Sequence, residues 1–359
     1  MPIALLALTI SAFAIGTTEF VIVGLLPTVA ADLHISLPSA GLLVSLYALG
    51  VAIGAPLLTA LTGKLPRKTL LLGLMALFTL GNLLAWQAPG YNSLIAARIL
   101  TGVPLGTFIG QHFGWRETFL AVSALGAIAF VVSLLFVPRS IRHTPPASVS
   151  QQLKVLAQPR LLLVYATTAV GYGGSFIPFT FLAPILQQSG FGAGAIGWVM
   201  LVYGVSVAAG NIWGGKLADR RGPIAALKII FALLAAVLLV FNFTAPHPWL
   251  AVATVMLWGA VAFGNVPGLQ VYVVRQAERH TPHAVDVASG LNIAAFNLGI
   301  AFAAWAGGLV VTHLGLMHTP WIGAVVVLGA LALTYWSGRL DVREGFASRA
   351  AGNSPVVAH

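Results

Sequence analysis

Residues 214–243, GGKLADRRGPIAALKIIFALLAAVLLVFNF, hold the pattern that decides the fold: a short basic turn, then a run from Ile224 to Phe243 in which Lys228 is the only charge. A helix of that length, rising about 1.5 Å per residue, reaches roughly 30 Å, the thickness of a bilayer's hydrocarbon core.

Outward from that run, apolar stretches of similar length recur along the chain. They cover Ile3–Val29, Ala40–Leu61, Thr69–Trp86, Ser93–Gly110 and Thr118–Val137, then Leu161–Leu186, Ala195–Trp213, Ile224–Phe243, Trp249–Val274, Ala288–Val311 and Trp321–Trp336. Only 7% of residues are charged and 58% are apolar, which excludes a water-soluble globular domain, where about a quarter carry charge. The expected fold class is an all-α polytopic membrane protein. The first stretch is longer than a signal-peptide core and has no charged leader, so it is expected to stay as a membrane anchor. The chain has no Cys, which removes disulfides, thiolate metal sites and thiol catalysis; no cofactor or metal is expected.

A formal charge of +10 can signal nucleic acid. Here the basic residues are divided among short connections instead of forming one soluble face, so no nucleic-acid partner is expected. Membrane topology accounts for them better. With Lys64, Arg67 and Lys68 in the cytoplasm, Arg139, Arg142, Lys154 and Arg160 fall on the same side. So do Lys216, Arg220, Arg221 and Lys228, then Arg275 and Arg279, and the arginines of the tail. The expectation is a multi-pass protein of a bacterial inner membrane with both termini cytoplasmic.

The two halves repeat each other weakly. Gly16, Pro27, Tyr47 and Gly54 match Gly173, Pro184, Tyr203 and Gly210 at an offset of about 156 residues. Further on, Gly106, His112 and Gly114 match Gly307, His313 and Gly315 at an offset of about 201. About 45 residues are therefore expected to be absent from the first half, within Ser93–Gly110, where the second half has two helices and a basic loop. Pro removes a backbone donor and Gly loosens a helix, so Gly102, Pro104 and Gly106 mark an expected break in this spliced stretch. If the stretch crosses once, every later basic loop faces outward; if it dips in and returns, only Arg116 does. The charge rule favours the re-entrant hairpin, against a poorly inserted, defective product.

Three segments carry a family resemblance: Gly16-Thr17-Thr18-Glu19-Phe20, the Leu25-Leu26-Pro27 that follows, and Gly214-Gly215-Lys216-Leu217-Ala218-Asp219-Arg220. They resemble the arabinose-efflux-permease-like drug:proton antiporters of the major facilitator superfamily, over Ile3 to about Gly338. Members typically have two six-helix bundles. The resemblance implies a complete second bundle of six helices and a truncated first bundle of four full spans plus the spliced segment. The domains are then a truncated N-terminal bundle at 1–138, a cytoplasmic linker loop at 139–160, a C-terminal bundle at 161–338 and a disordered cytoplasmic tail at 339–359. The implied function is proton-coupled efflux of a small molecule, a sugar, nucleoside or drug, by alternating access, in a chain that is monomeric in the bilayer.

The family's loop signature maps onto Gly215, Asp219, Arg220, Arg221 and Gly222; in the first-half copy Gly63 takes the Asp position, leaving Lys64, Arg67 and Lys68. An Asp at a helix end accepts hydrogen bonds from a neighbouring helix N-terminus and holds Arg, stabilising one gate state. The plainer reading is an ordinary turn with solvated charges. The fourth-helix pattern survives only as Arg98 and Gly102, and the fifth-helix pattern as Gly102, Pro104, Gly106 and Gly110.

Glu19 is the one acidic residue within an apolar span. An ionised carboxylate there costs at least about 2.5 to 3.5 kcal/mol, so Glu19 is expected to be neutral, paired or facing a wet cavity, where it binds and releases the coupling proton. A structural Glu hydrogen-bonded between helices is the alternative. Arg98 either pairs with Glu19 or an anionic substrate group, or snorkels to the outer surface. Tyr47, Tyr165, Tyr172, Asn265, Gln270, Asn292 and Asn297 are candidates to line a central cavity, with Tyr47, Asn265 and Asn297 set beside Arg98 as substrate residues. Gly171, Gly173, Gly174 and Pro178 mark a breakable helix, although close packing is the commoner reason for glycines.

An ATP-driven pump is not supported: Gly210 and Gly215-Lys216 mimic a phosphate loop, but Leu217 replaces the required Ser or Thr. No acid pair or His ligand set lies within a span, so no enzyme is expected. The remaining alternative is a transport-defective remnant or passive pore. Topology is open to direct measurement because there is no native Cys. In a Ser148→Cys variant, an impermeant maleimide is expected to label only after spheroplasts are permeabilised; labelling from outside would invert the second half.

Overall fold

The computed structural model describes residues 21–61, 66–100, 115–137 and 149–352. Among these there is no strand. The helices of the first half are α1 (Val21–Asp32), α2 (Leu37–Leu61), α3 (Arg67–Trp86), α4 (Tyr91–Leu100) and α5 (Trp115–Phe136). A short α6 (Val149–Leu156) leads into the second half, with α7 (Pro159–Phe179), α8 (Leu182–Gln188), α9 (Ala193–Arg221), α10 (Pro223–Thr244), α11 (Pro248–His280), α12 (Val285–His313) and α13 (Thr319–Gly352). Nine stretches among the described residues are long and apolar enough to cross a membrane. Glu19, the expected break at Gly102, Pro104 and Gly106, and the choice between a crossing and a hairpin lie outside the described residues.

Local chemistry sets the boundaries. Pro159, Pro223 and Pro248 open α7, α10 and α11, where the missing N–H costs nothing. Gly222 turns between α9 and α10 at φ +79°, a conformation that only glycine adopts freely. The seventh span is interrupted after Phe179 and resumes at Leu182. Pro184 explains this break: it has no N–H for the Thr180 carbonyl, and its ring crowds that carbonyl. Gly171, Gly173 and Gly174 do not break the helix; they lie inside α7.

Two expected loops are partly helical. The linker contains α6, whose Val155 is buried and whose Gln152 Nε2 donates to Pro56 O at 3.2 Å. The tail expected to be disordered from residue 339 is helical to Gly352, and its Asp341 and Glu344 are held by Arg160 at the start of α7.

Packing is centred on α7, the most buried span. Lipid gives apolar helices little reason to leave it for one another, so close backbone approach must hold them together. A Cβ at Gly173 would lie 2.8 Å from Gly299 O of α12, and one at Gly174 would lie 2.9 Å from Val327 N of α13. The α9/α11 crossing is tighter: at Gly210 a Cβ would meet Ala260 O at 2.0 Å, and at Gly214 it would meet Gly264 O at 1.9 Å. Lys228, the lone charge of the run Ile224–Phe243, sets its ammonium 4.3 Å over the Tyr335 ring, a cation–π contact from α10 to α13.

The first half joins the second through α2 and α12. Ser45 Oγ donates to Ala301 O at 2.7 Å, and Pro38 lies against Gly308. Within the first half, Tyr91 OH donates to Ser39 O at 2.5 Å and Ser123 Oγ to Thr79 O at 3.0 Å, tying α4 to α2 and α5 to α3.

A matched pair of substitutions tests the crossing. Gly214→Val is expected to cost about 1 to 3 kcal/mol or more, read as loss of the monodisperse species in detergent. Gly204→Ala on the same helix enters open space and should change stability by less than about 0.5 kcal/mol.

Candidate functional site

Helices α7, α11 and α12 meet around Tyr172. Its ring packs on Phe176 at 5.0 Å and meets the edges of Phe263 and Phe296 at 5.6 and 4.9 Å. The aromatic surface continues through Phe179 to Tyr203, stacked at 5.1 Å, and to Trp258 at 6.0 Å. Trp258 is fully buried and its indole N–H is satisfied by Ser175 Oγ at 2.8 Å.

Nearer the basic ends of these helices the lining turns polar. Thr168 Oγ1 donates to Asn292 Oδ1 at 2.7 Å, and Asn292 Nδ2 donates to Gln270 Oε1 at 3.1 Å. Gln270 Nε2 then donates to Ser289, while Tyr165 OH reaches Ala288 O at 3.3 Å. Thr168 and Asn292 are fully buried. Gln270 lies at the rim of an open depression of about 320 Å³, shared with Val271, Val274, Arg275 and Glu278. The belt itself is built from neutral amides and hydroxyls, groups that can exchange hydrogen bonds with a neutral solute.

The residues singled out from the sequence separate into groups. Arg98 and Tyr47 come together: the guanidinium is 4.9 Å over the ring and Arg98 is fully buried. Tyr165, Tyr172, Gln270 and Asn292 build the belt. Asn265 and Asn297 stand apart from it. Asn265 is fully buried with both amide atoms unpartnered, and Asn297 Oδ1 is unpartnered while its Nδ2 bonds Ile293 O of its own helix at 3.0 Å. Asp219, Arg220 and Arg221 are exposed at the end of α9, and among the described residues they form no ion pair. Gly215 lies over Pro267 of α11.

Sequence reading missed Thr168, Ser175 and Ser289, which carry no charge to draw attention inside an apolar span. It also missed the cluster of Arg160, Tyr272, Gln276, Ser337 and Asp341. One available signal was the pair of acids at Asp341 and Glu344, one turn apart on a helical spacing and able to meet a single cation.

Nine described stretches long and apolar enough to cross a membrane, with a neutral polar belt and an aromatic wall among the helices of the second half, fit a multi-pass membrane transporter. The sequence profile of the Major Facilitator Superfamily matches residues 8–104 and 99–285. The chain belongs to this superfamily. It is 47% identical to the uncharacterized MFS-type transporter YtbD of Bacillus subtilis (strain 168), over 95% of this chain and 96% of that one. It is 38% identical to the inner membrane transport protein YdhP of Escherichia coli (strain K12), over 93% and 96%. The fold resembles the crystal structure of a variant of the nucleoside transporter NupG, with a TM-score of 0.69 at 13% identity, covering 94% of this chain and 99% of that one. The two profile stretches meet at 99–104, where the repeat comparison puts the absent block. The alignment to YtbD spans 383 positions although the chain has 359 residues.

Two asparagines should respond oppositely. Asn292→Leu, which strands Thr168 and Gln270, is expected to lose about 1 kcal/mol, measured as a lower thermal midpoint in detergent. Asn265→Leu removes an unpaired buried amide and should leave stability unchanged or raise it by up to about 1 kcal/mol.

Proposed function

We propose that the chain exports a small neutral solute against its gradient by alternating access, coupled to proton entry. In this reading it acts as a monomer in a bacterial inner membrane with both termini cytoplasmic. The observation that carries the reading is where the acids sit. Asp32, Asp219, Glu278, Asp286, Asp341 and Glu344 occupy helix ends or the polar extension of α13, and Glu117 the first turn of α5. Glu19 is left as the one carboxylate within an apolar span. A carboxylate in that setting is costly when charged and cheap when protonated, which suits it to change state as the cavity opens to one side and then the other. The belt of Thr168, Gln270, Ser289 and Asn292 beside Tyr172, Phe263 and Phe296 supports a hydroxylated or amide-bearing solute with a flat face, such as a sugar or nucleoside.

The junction of the profile matches at 99–104 favours one competing reading, a remnant or passive pore whose first half has lost its gate helices. Efflux from preloaded cells separates the two. An exporter is expected to lose uphill efflux when an uncoupler is added, and Glu19→Gln should still bind solute while coupled efflux falls at least about tenfold. Uphill efflux by Glu19→Gln would remove Glu19 from the coupling role; solute movement that ignores the uncoupler in the parent chain would favour the pore.

A further inference from the structure

At the basic ends of α7, α11 and α13 lies a charged cluster that the transport reading does not use. Arg160, buried in the first turn of α7, pairs with Asp341 and, through Nε at 2.9 Å, with Glu344 Oε1. Asp341 is also bonded by Gln276 Nε2 at 2.7 Å and Tyr272 OH at 3.0 Å, and Tyr272 OH lies 2.6 Å from Ser337 Oγ. Asp341 therefore has three donors and its charge is fully engaged. Glu344 is different: its second oxygen, Oε2, faces His280 Nε2 of α11 at 3.6 Å.

The other nitrogen of His280 fixes the chemistry. Nδ1 lies 3.0 Å from the Gln276 carbonyl oxygen. A carbonyl only accepts, so Nδ1 carries the hydrogen in either charge state. In the neutral ring, Nε2 then presents a lone pair to the carboxylate. In the protonated ring it presents an N–H⁺, and the contact becomes a salt bridge. Histidine is the side chain whose charge changes between about pH 5 and 8.

We propose that His280 and Glu344 form a pH-gated latch between α11 and the polar extension of α13, closed when His280 is protonated and open when it is neutral. Arg160 holds Asp341 and the first oxygen of Glu344 in both states, so the latch adds a second tie at Glu344 Oε2 and tightens the turn that carries both acids. The charged groups around it are Arg160 from α7 and Asp341 and Glu344 from α13; Tyr272 of α11 is neutral and donates to Asp341. Arg279, Arg339 and Arg343 make no ion pair among the described residues, and His283 and Asp286 follow on the next turn of chain. The consequence is a second bundle whose cytoplasmic end is firmer in acid and looser in alkali.

Hydrogen exchange on the full chain in nanodiscs tests this. Protection factors of the amides of residues 338–344, corrected for intrinsic rates, are compared at about pH 5.5 and about pH 8. They are expected to fall about two- to fivefold at the higher pH, the size of a half-exposed ion pair. His280→Gln should remove the pH dependence and leave the low protection at both values. Glu344→Gln, which also gives up the ion pair with Arg160, should lower protection further and likewise remove its pH dependence; that loss of pH dependence decides the matter if the first variant does not fold. Equal protection in the parent chain at both pH values, or a pH dependence that survives either substitution, overturns the latch.

Discussion

Everything in the second half depends on backbones coming close enough to touch. In a bilayer, a leucine gains nothing by leaving lipid for another leucine, so association has to come from dense packing and from polar groups that prefer a partner to a hydrocarbon. The glycines of α7 and α9 supply the first. Gly210 and Gly214 lie one turn apart and set α9 directly on the main chain of α11 at Ala260 and Gly264, while Gly173 does the same for α7 on α12. The polar groups then fall into register. Thr168 reaches Asn292, and Asn292 reaches Gln270, only because α7, α11 and α12 are held that near.

The same constraint separates two kinds of buried asparagine. Asn292 spends its amide on two other helices, so it specifies how they meet. Asn265 spends nothing, although it is equally buried. An unsatisfied buried amide opposes stability and marks a position kept for something other than packing. The cluster around Arg160 is a third case. Its charges lie at the ends of the helices, where Asp341 has three donors and Glu344 pairs with Arg160, and it joins residues 181 apart in sequence.

The spans were legible because lipid leaves so few solutions: Ile224–Phe243 needed no more than its length and its single lysine to be read as a crossing. The repeat was legible too: it puts the absent block within Ser93–Gly110, and the two profile stretches overlap at 99–104. Other features were hidden for physical reasons. Hydropathy says nothing about a helix that continues past its apolar span as a polar extension, so α13 past residue 338 read as a tail. Arg160 read as one more cytoplasmic charge, since its partners Asp341 and Glu344 come from a helix formed near the other end of the chain. Gly171, Gly173, Gly174 and Pro178 marked a breakable helix, with close packing as the commoner role of the glycines; the helix is interrupted after Phe179, and the glycines are contact surfaces. Thr168 and Ser289 were invisible because a lone hydroxyl in an apolar run is common and usually bonds its own helix.

The bond from Ser45 on α2 to Ala301 on α12 spans 256 residues, and this gives the first half a history as well as a shape. At roughly 5 to 20 residues per second, a ribosome needs on the order of 13 to 50 seconds to produce α12 after α2 has been made. Throughout that interval α2 sits in the membrane with its Ser45 face uncovered, steadied by α1 and by Tyr91 on α4. The two halves cannot be joined as they are inserted. The early helices must wait in lipid, and assembly is completed from the last part of the chain backwards.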